Sequence, residues 1–144
     1  MKIVINKCFG GFGLSFLGVM RYAELAGFKL YPWLDEITKK VYGDRAVIGN
    51  NELTHHFSRV PADGLEKSGC GLDWPKLPEG AYWSDSDLDR SDPILVRLVE
   101  EMGSEAASGR YAKLAVVEVP DDVEWEIDEY DGSEKIAEKH RTWS

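Results

Sequence analysis

The sequence is short of cysteine and of long apolar runs, and each shortage excludes a class of protein. Cys8 and Cys70 are its 2 cysteines in 144 residues, too few for the disulfide framework of a small secreted domain. Neither has a cysteine or histidine neighbour at the spacing of a structural zinc site. There is no signal peptide and no apolar stretch that could cross a membrane. We therefore expect a soluble, cytoplasmic protein with reduced thiols and no membrane partner.

Basic residues are scarce relative to acidic ones. The chain has 17 lysines and arginines against 26 aspartates and glutamates, a formal net charge of −9. Such a chain repels the nucleic-acid backbone, so we expect no general binding of DNA or RNA, although a local basic pocket is compatible with this charge. The acidity has two interpretations. It keeps the protein soluble, or it imitates nucleic acid on the basic surface of another protein.

Recognisable catalytic and metal motifs are missing as well. The glycine-rich turn near the start lacks the Lys-Ser or Lys-Thr of a Walker A loop, and its spacing departs from the dinucleotide-binding fingerprint. His55 and His56 are adjacent, and on a helix they would point about 100° apart, which does not suit a shared metal. No Ser-His-Asp or Cys-His arrangement stands out. The sequence predicts no cofactor and no metal, and it favours binding without turnover.

What the sequence does contain is a distinctive beginning. The apolar run Ile3 to Ile5 predicts a strand, and a turn with three glycines follows it between Cys8 and Ser15. Glycine allows left-handed backbone and a close approach of a ligand to the main chain. Ser15 is a predicted N-cap, Gly27 ends the predicted helix, and Phe28–Tyr31 predicts the next strand. This is a βαβ-like start in which a helix N-terminus beside a glycine loop would favour an anion.

The middle of the chain carries weaker signals. A short helix is predicted over 33–41, with Ile37 and Val41 on one side, and a short strand over 46–49. Residues 50–59 have weak helical character. From Asp63 to Gly80 the sequence is rich in glycine and proline without periodicity, which predicts a long loop. Trp74, the aromatic residue of this loop, is a candidate for covering a pocket.

A second main helix is strongly predicted after Asp92. Asp92 is the expected N-cap, Pro93 the first helical residue and Gly103 the residue after the end. Within it, one apolar stripe has helical spacing and should be buried: Leu95, Leu98, Val99 and Met102.

The last third of the chain changes to the alternation of β-strands. Residues 113–119 predict one strand, and Val123, Trp125 and Ile127 alternate with acidic residues in the next. Asp131-Gly132 predicts a two-residue hairpin turn. In that register Asp128 faces Lys135, Ile127 faces Ile136 and Glu124 faces Lys139. We predict one α+β domain over residues 1–144, with a βαβ-like start, one strong second helix and a C-terminal antiparallel meander, all sharing one sheet.

Both ends of the chain carry a resemblance. The strings Ile5-Asn6-Lys7-Cys8-Phe9-Gly10-Gly11-Phe12-Gly13-Leu14-Ser15, Trp125-Glu126-Ile127-Asp128-Glu129-Tyr130-Asp131-Gly132 and Glu138-Lys139-His140-Arg141-Thr142-Trp143 resemble a family of small bacteriophage-encoded proteins of unknown function. The resemblance implies an accessory viral protein in the cytoplasm of a host cell, for which counter-defence is a common role. It implies no chemistry.

The leading hypothesis is a binding protein for a small anionic, nucleotide-like ligand. In the phage setting it would sequester a host signalling nucleotide, and self-association remains open. The predicted pocket combines the glycine turn, nearby cations and a loop tryptophan. Its residues are Lys7, Phe9, Gly10, Gly11, Phe12, Gly13, Ser15, Arg21, Trp74, His140 and Arg141.

Two alternatives stay open. An acidic inhibitor would present Asp85 to Asp92, or the strand of Glu124, to a basic surface of a host protein. In the third hypothesis, Glu124 and Glu126 with Arg141 resemble in outline the catalytic strand of ADP-ribosyl transferases. Alternating carboxylates are also what a strand with one solvated face shows.

Overall fold

The computed structural model describes residues 1–63, 65 and 74–138, and it has the predicted α+β composition. Two short 3-10 turns, Gly43–Arg45 and Asp85–Asp87, accompany the helices. The helices are α1 (Phe16–Ala26), α2 (Glu36–Tyr42), α3 (Pro93–Met102) and α4 (Ser104–Ala107). The strands are β1 (Lys2–Asn6), β2 (Tyr31–Trp33), β3 (His56–Ser58), β4 (Tyr82–Trp83), β5 (Leu114–Glu118), β6 (Trp125–Tyr130) and β7 (Ser133–Glu138).

The described strands form three small antiparallel sheets, so the prediction of one shared sheet is wrong. Their orders are β1-β5, β2-β3-β4 and β6-β7. The strand, helix, strand order of the start is present, but β1 and β2 belong to different sheets. The reason is that β1 pairs with β5, for example Ile3 with Val117 and Asn6 with Leu114. A pairing between such distant segments leaves no local signal in the sequence.

The β1-β5 pair is the middle layer of the molecule. Val4 belongs to the core beneath the helices, together with Leu95 and Leu98 of α3. Ile3 and Ile5 point to the opposite side and form a second cluster with apolar residues of the β6-β7 hairpin. Because β1 is covered on both faces, its sequence is continuously apolar rather than alternating.

Helix ends follow their local signals. Ser15 caps α1, its side chain accepting from the Gly18 N–H, and Gly27 ends the helix in left-handed backbone at φ 84°. Asp92 caps α3 by accepting from the Ile94 N–H, and the helix ends before Gly103. These predictions are confirmed. Each could be made from the sequence because a helix cap depends on residues within one turn of the helix end.

The hairpin prediction is also confirmed. Asp128 pairs with Lys135 and Ile127 with Ile136. Asp131 and Gly132 have φ of 51° and 90°, as a type I′ turn requires. The predicted partner of Glu124, Lys139, lies outside the described residues.

The middle of the chain differs from its prediction. Residues 46–49 form a turn rather than a strand, and residues 50–59 contain β3 rather than a helix. β3 is paired on both sides, so tertiary contacts with β2 and β4 outweigh the local helical tendency. α2 forms behind its Asp35 cap, but none of its residues is buried, and Ile37 and Val41 are exposed.

Candidate functional site

A cavity of about 570 Å³ lies beside the glycine turn. Its walls come from that turn, α2, the loop before β3, β4 with the 3-10 turn behind it, and the loop between α4 and β5. Ligand pockets of proteins usually have volumes of about 300–1,000 Å³. Its polar and aromatic lining includes Phe12, Phe16, Thr38, Tyr42, Asn51, Glu52, Thr54, His55, Tyr82, Trp83, Ser84, Asp85, Arg110 and Tyr111.

The glycine turn runs antiparallel to the segment that leads into β5. Lys7 N–H donates to the Lys113 carbonyl at 2.8 Å, and Gly109 N–H donates to the Gly13 carbonyl at 2.8 Å. Farther along, Ser15 N–H donates to the Ala107 carbonyl at 2.9 Å. The turn is therefore held along its length by main-chain hydrogen bonds, and it presents a fixed surface to the cavity.

The three glycines of the turn have different roles. A Cβ at Gly10 would lie 2.0 Å from the Tyr111 carbonyl oxygen, so this glycine is required by packing within the protein. At Gly11 no described atom lies within 4 Å of such a Cβ, although φ is +92°. At Gly13 the nearest described atom is Asp85 Oδ2 at 3.9 Å. Gly11 and Gly13 line the cavity, and the space that a side chain would fill at each of them is open.

Asp85 is the principal acidic group of the cavity. Its Oδ2 accepts from the Leu14 N–H at 2.8 Å, which ties the glycine turn to the 3-10 turn after β4. Burial raises the pKa of this carboxyl, while the hydrogen bond from Leu14 and the charge of Arg90 act in the opposite direction. Beside the open space at Gly13, Asp85 offers an acceptor for the N–H groups of a ligand.

Some of the N–H groups at the N-terminus of α1 donate to acceptors within the protein. The sequence predicted that these donors would be free to bind an anion. Phe16 N–H donates to Asn51 Oδ1 at 3.2 Å, and Gly18 N–H donates to Ser15 Oγ at 3.0 Å. Ser15 Oγ in turn donates to the Ala106 carbonyl at 2.6 Å. The Asp85 carboxylate accepts from Leu14 just before the helix. Ser15 is thus the N-cap of α1, and the anion site expected at this helix end stays a prediction.

His55 lines the cavity as a neutral ring. Its Nε2 accepts from the Gly49 N–H at 3.0 Å, and its Nδ1 lies 3.1 Å from the Leu53 carbonyl oxygen. Because a carbonyl accepts only, Nδ1 carries the proton. Burial lowers the pKa of His55, and the neighbouring His56 adds to that effect. The ring stacks obliquely on Phe16 at a centroid distance of 4.7 Å and extends an aromatic wall.

Arg110 supplies positive charge at the cavity. Its Nη1 donates to the Glu52 carbonyl at 3.0 Å, which joins the loop after α4 to the loop before β3. The guanidinium carbon lies 5.2 Å from the centroid of the Tyr111 ring. A cation over an aromatic ring can contact both a phosphate and a stacked base.

Some of the predicted site residues line the cavity and others do not. Gly10, Gly11, Phe12 and Gly13 line the cavity. Phe9 and Lys7 are exposed beside it, outside its described lining. Phe12 lies under Arg90, whose guanidinium carbon is 3.6 Å from the ring centroid. The two phenylalanines therefore have different surroundings.

Two predicted residues, Arg21 and Trp74, lie away from the cavity. Arg21 makes ion pairs with Glu24 and Glu101 on the outer side of α1, each at 2.8 Å. Trp74 packs on His56 at a centroid distance of 4.5 Å and on Trp33 at 5.4 Å, so it anchors its own segment. Neither is part of the described cavity lining.

His140 and Arg141 lie outside the described residues. Glu124, just before β6, and Glu126, on β6, were considered for the third hypothesis. Both are exposed and do not belong to the described lining of the cavity. Asp85, His55, Arg110 and Tyr111 were missed as site residues by sequence reasoning. Asp85 was noted only as part of an acidic turn, and the short Gly109-Arg110-Tyr111 loop carries no motif.

Comparisons with known proteins do not assign this chain to a family. No protein-family model, curated protein or solved structure matches it. In the described ranges no helix is long and apolar enough to span a membrane. In the same ranges no group of three or more histidine, cysteine, aspartate and glutamate side chains is placed to hold a metal ion. The case for a function therefore depends on the cavity.

Proposed function

We propose that this protein binds and sequesters a small nucleotide-like ligand in the cavity beside the glycine turn, without turnover. The observation that carries the proposal is the open space at the Cβ positions of Gly11 and Gly13, two residues that line a cavity of about 570 Å³. Two other glycines of this region, Gly10 and Gly109, approach main-chain atoms of the protein itself. Only a glycine whose Cβ position is open leaves space for a ligand.

The lining suits the parts of a nucleotide. The aromatic walls at Phe16, His55 and Tyr82 favour a planar base. Asp85 offers an acceptor for the N–H groups of a base, and Arg110 offers a bidentate donor for a phosphate. The lining also contains Glu52, so its charges do not favour a densely charged polyphosphate. We therefore favour a ligand with few phosphates.

Sequestration, rather than signalling or catalysis, follows from the resemblance to accessory phage proteins. A counter-defence protein in a host cell would lower the free concentration of a signalling nucleotide simply by binding it. The cavity is large enough to hold such a ligand, and this supports the proposal that the protein binds it.

The test is calorimetry with AMP, GMP and a panel of linear and cyclic nucleotides on the wild type and Gly13→Val. Valine would fill the open space beside Asp85 and should weaken binding by tenfold or more. Ala106→Val introduces the same side chain, with two added carbons instead of three, at an exposed position of α4 and should bind as the wild type does. The ligand should be recovered chemically intact after incubation. No binding on the panel, or equal binding by Gly13→Val, would refute the proposal.

A second candidate is an acidic surface that binds a basic host protein. The sequence has no lysine or arginine from Leu114 to Glu134. Glu124, just before β6, is exposed, as are Glu126 and Asp128 on β6. Such a face complements a basic surface. Changing Glu124 and Glu126 to glutamine should remove partner binding and leave nucleotide affinity unchanged, whereas Gly13→Val should do the reverse.

A further inference from the structure

A positively charged surface adjoins the cavity of this acidic protein. It consists of Lys7, Phe9, Arg110, Tyr111 and Lys113, and we name it the basic seam. Its two segments, 7–13 and 109–113, lie side by side through the Lys7 to Lys113 and Gly109 to Gly13 hydrogen bonds. Neither segment contains a carboxylate, although the whole chain has a net charge of −9.

The cations of the basic seam are free to contact a ligand. Lys7, Arg110 and Lys113 are exposed, and within residues 1–63, 65 and 74–138 none of them makes an ion pair. Arg110 bonds to a main-chain carbonyl, which leaves its charge uncompensated. By contrast, Arg21 and Arg90 are both paired with carboxylates. Unpaired cations gathered on an acidic protein favour an anionic ligand.

Two large aromatic residues lie among these cations. Phe9 is 67% exposed and Tyr111 is 64% exposed. Tyr111 also lines the cavity, and Gly10 packs against its Cβ. Exposed aromatic rings between phosphate-binding cations are the elements that proteins use to stack successive bases of a single strand.

We propose that the ligand is a short phosphodiester-linked oligonucleotide of at least two nucleotides. This inference rests on the proposed function of the cavity. One nucleotide occupies the cavity, and the next phosphate and base lie along the basic seam, with the phosphate at the lysines and the base on Tyr111 or Phe9. The hairpin turn limits its length, because Gly132 packs against the Phe9 carbonyl and Asp131 is exposed beside it. A long strand would meet the acidic hairpin.

The experiment compares mononucleotides with linear oligonucleotides by calorimetry. AMP and GMP would be measured against 5′-phosphorylated ApA and GpG, and against a 12-nucleotide single strand. The dinucleotides should bind at least tenfold more tightly than the mononucleotides, and the 12-mer should gain no further affinity. For each phosphate contact, the slope of log K against log salt should be steeper by about 0.7.

Seam variants separate this inference from the cavity itself. The double variant Lys7→Gln and Lys113→Gln should abolish the dinucleotide gain and leave mononucleotide affinity within about twofold. Lys29→Gln with Lys76→Gln makes the same change in net charge outside the seam and should keep the gain. Tyr111→Leu, which keeps the Cβ that packs on Gly10, should weaken the dinucleotide about fivefold or more.

Three results would overturn the inference. If mononucleotides bind, remain sensitive to Gly13→Val and equal the dinucleotides in affinity, the seam has no role and the proposed function stands. If the 12-mer binds more tightly than the dinucleotides, the length limit is wrong. If no nucleotide of either kind binds, the proposed function fails and the seam inference fails with it.

Discussion

Arg90 connects the hairpin to the wall of the cavity. Its guanidinium donates to both carboxylate oxygens of Glu134, at 2.5 and 2.9 Å, and lies over the ring of Phe12. Glu134 also accepts from the Asn6 N–H at 2.8 Å, at the end of β1. One arginine from an acidic turn thus fixes a cavity residue, a hairpin strand and the strand beneath it.

Breaking this pair should be costly because Glu134 is buried. Glu134→Gln would leave the half-buried Arg90 without its countercharge, and we expect a loss of about 3 kcal/mol in the free energy of unfolding. Urea denaturation followed by tryptophan fluorescence measures it. Glu129→Gln, an exposed change on the facing strand, is the control. Equal stability of both variants would show that the Arg90 pair contributes little.

Tyr22 should lower the free energy of unfolding at high pH. Its hydroxyl donates to Asp92 Oδ2 at 2.5 Å, and burial, followed by that hydrogen bond, raises its pKa from 10.0 to about 12. Between these values the unfolded chain has lost the phenolic proton and the folded chain keeps it, so stability falls as pH rises.

The expected loss due to Tyr22 is about 3 kcal/mol between roughly pH 10 and pH 12. Other tyrosines and the lysines titrate in the same range, so the measurement is a difference between proteins. Urea denaturation from pH 8 to 11.5 should show a shallower alkaline decline for Tyr22→Phe than for the wild type. The same decline in both would mean that Tyr22 ionises as freely in the folded protein as in the unfolded chain.

Among the elements, α3 carries the most reliable prediction. Leu95, Leu98 and Val99 of its stripe are buried as expected, with Leu98 at 0% exposure, and Met102 is half-buried. Leu98→Ala should reduce the free energy of unfolding by about 2–5 kcal/mol, from lost burial and the cavity that remains. Arg97→Ala, one residue away on the exposed side, should change stability by less than about 0.5 kcal/mol. A loss below about 1 kcal/mol for Leu98→Ala would mean that the core relaxes around it.

α2 shows the opposite relation between sequence and structure. Its Asp35 cap and its end at Gly43 are formed, but Ile37 and Val41 are exposed instead of buried. Amphipathic spacing predicts that a helix has an apolar face, and the contacts of that face depend on distant segments. Thr38 and Tyr42 of the same helix line the cavity instead.

At the scale of the whole molecule, local features were predictable and assembly was not. The caps at Ser15 and Asp92 and the turn at Asp131-Gly132 depend on neighbouring residues, and each is confirmed. The partition into three sheets depends on a pairing of β1 with β5. The glycine turn was found as a candidate from its own residues, whereas Asp85 and Arg110 reach the cavity from separate segments that share no motif with it.

The distance along the chain between β1 and its partners has a consequence for synthesis on the ribosome. Asn6 Oδ1 accepts from Lys113, 107 positions later, and Asn6 N–H donates to Glu134, 128 positions later. At about 5–20 residues per second of translation, Asn6 waits roughly 5–25 s for these partners. During that time Ile3, Val4 and Ile5 have no strand to pair with, which makes the nascent chain a client for chaperones. The glycine turn is synthesised before Lys113 and Glu134, so it acquires its final shape only after those residues have been added.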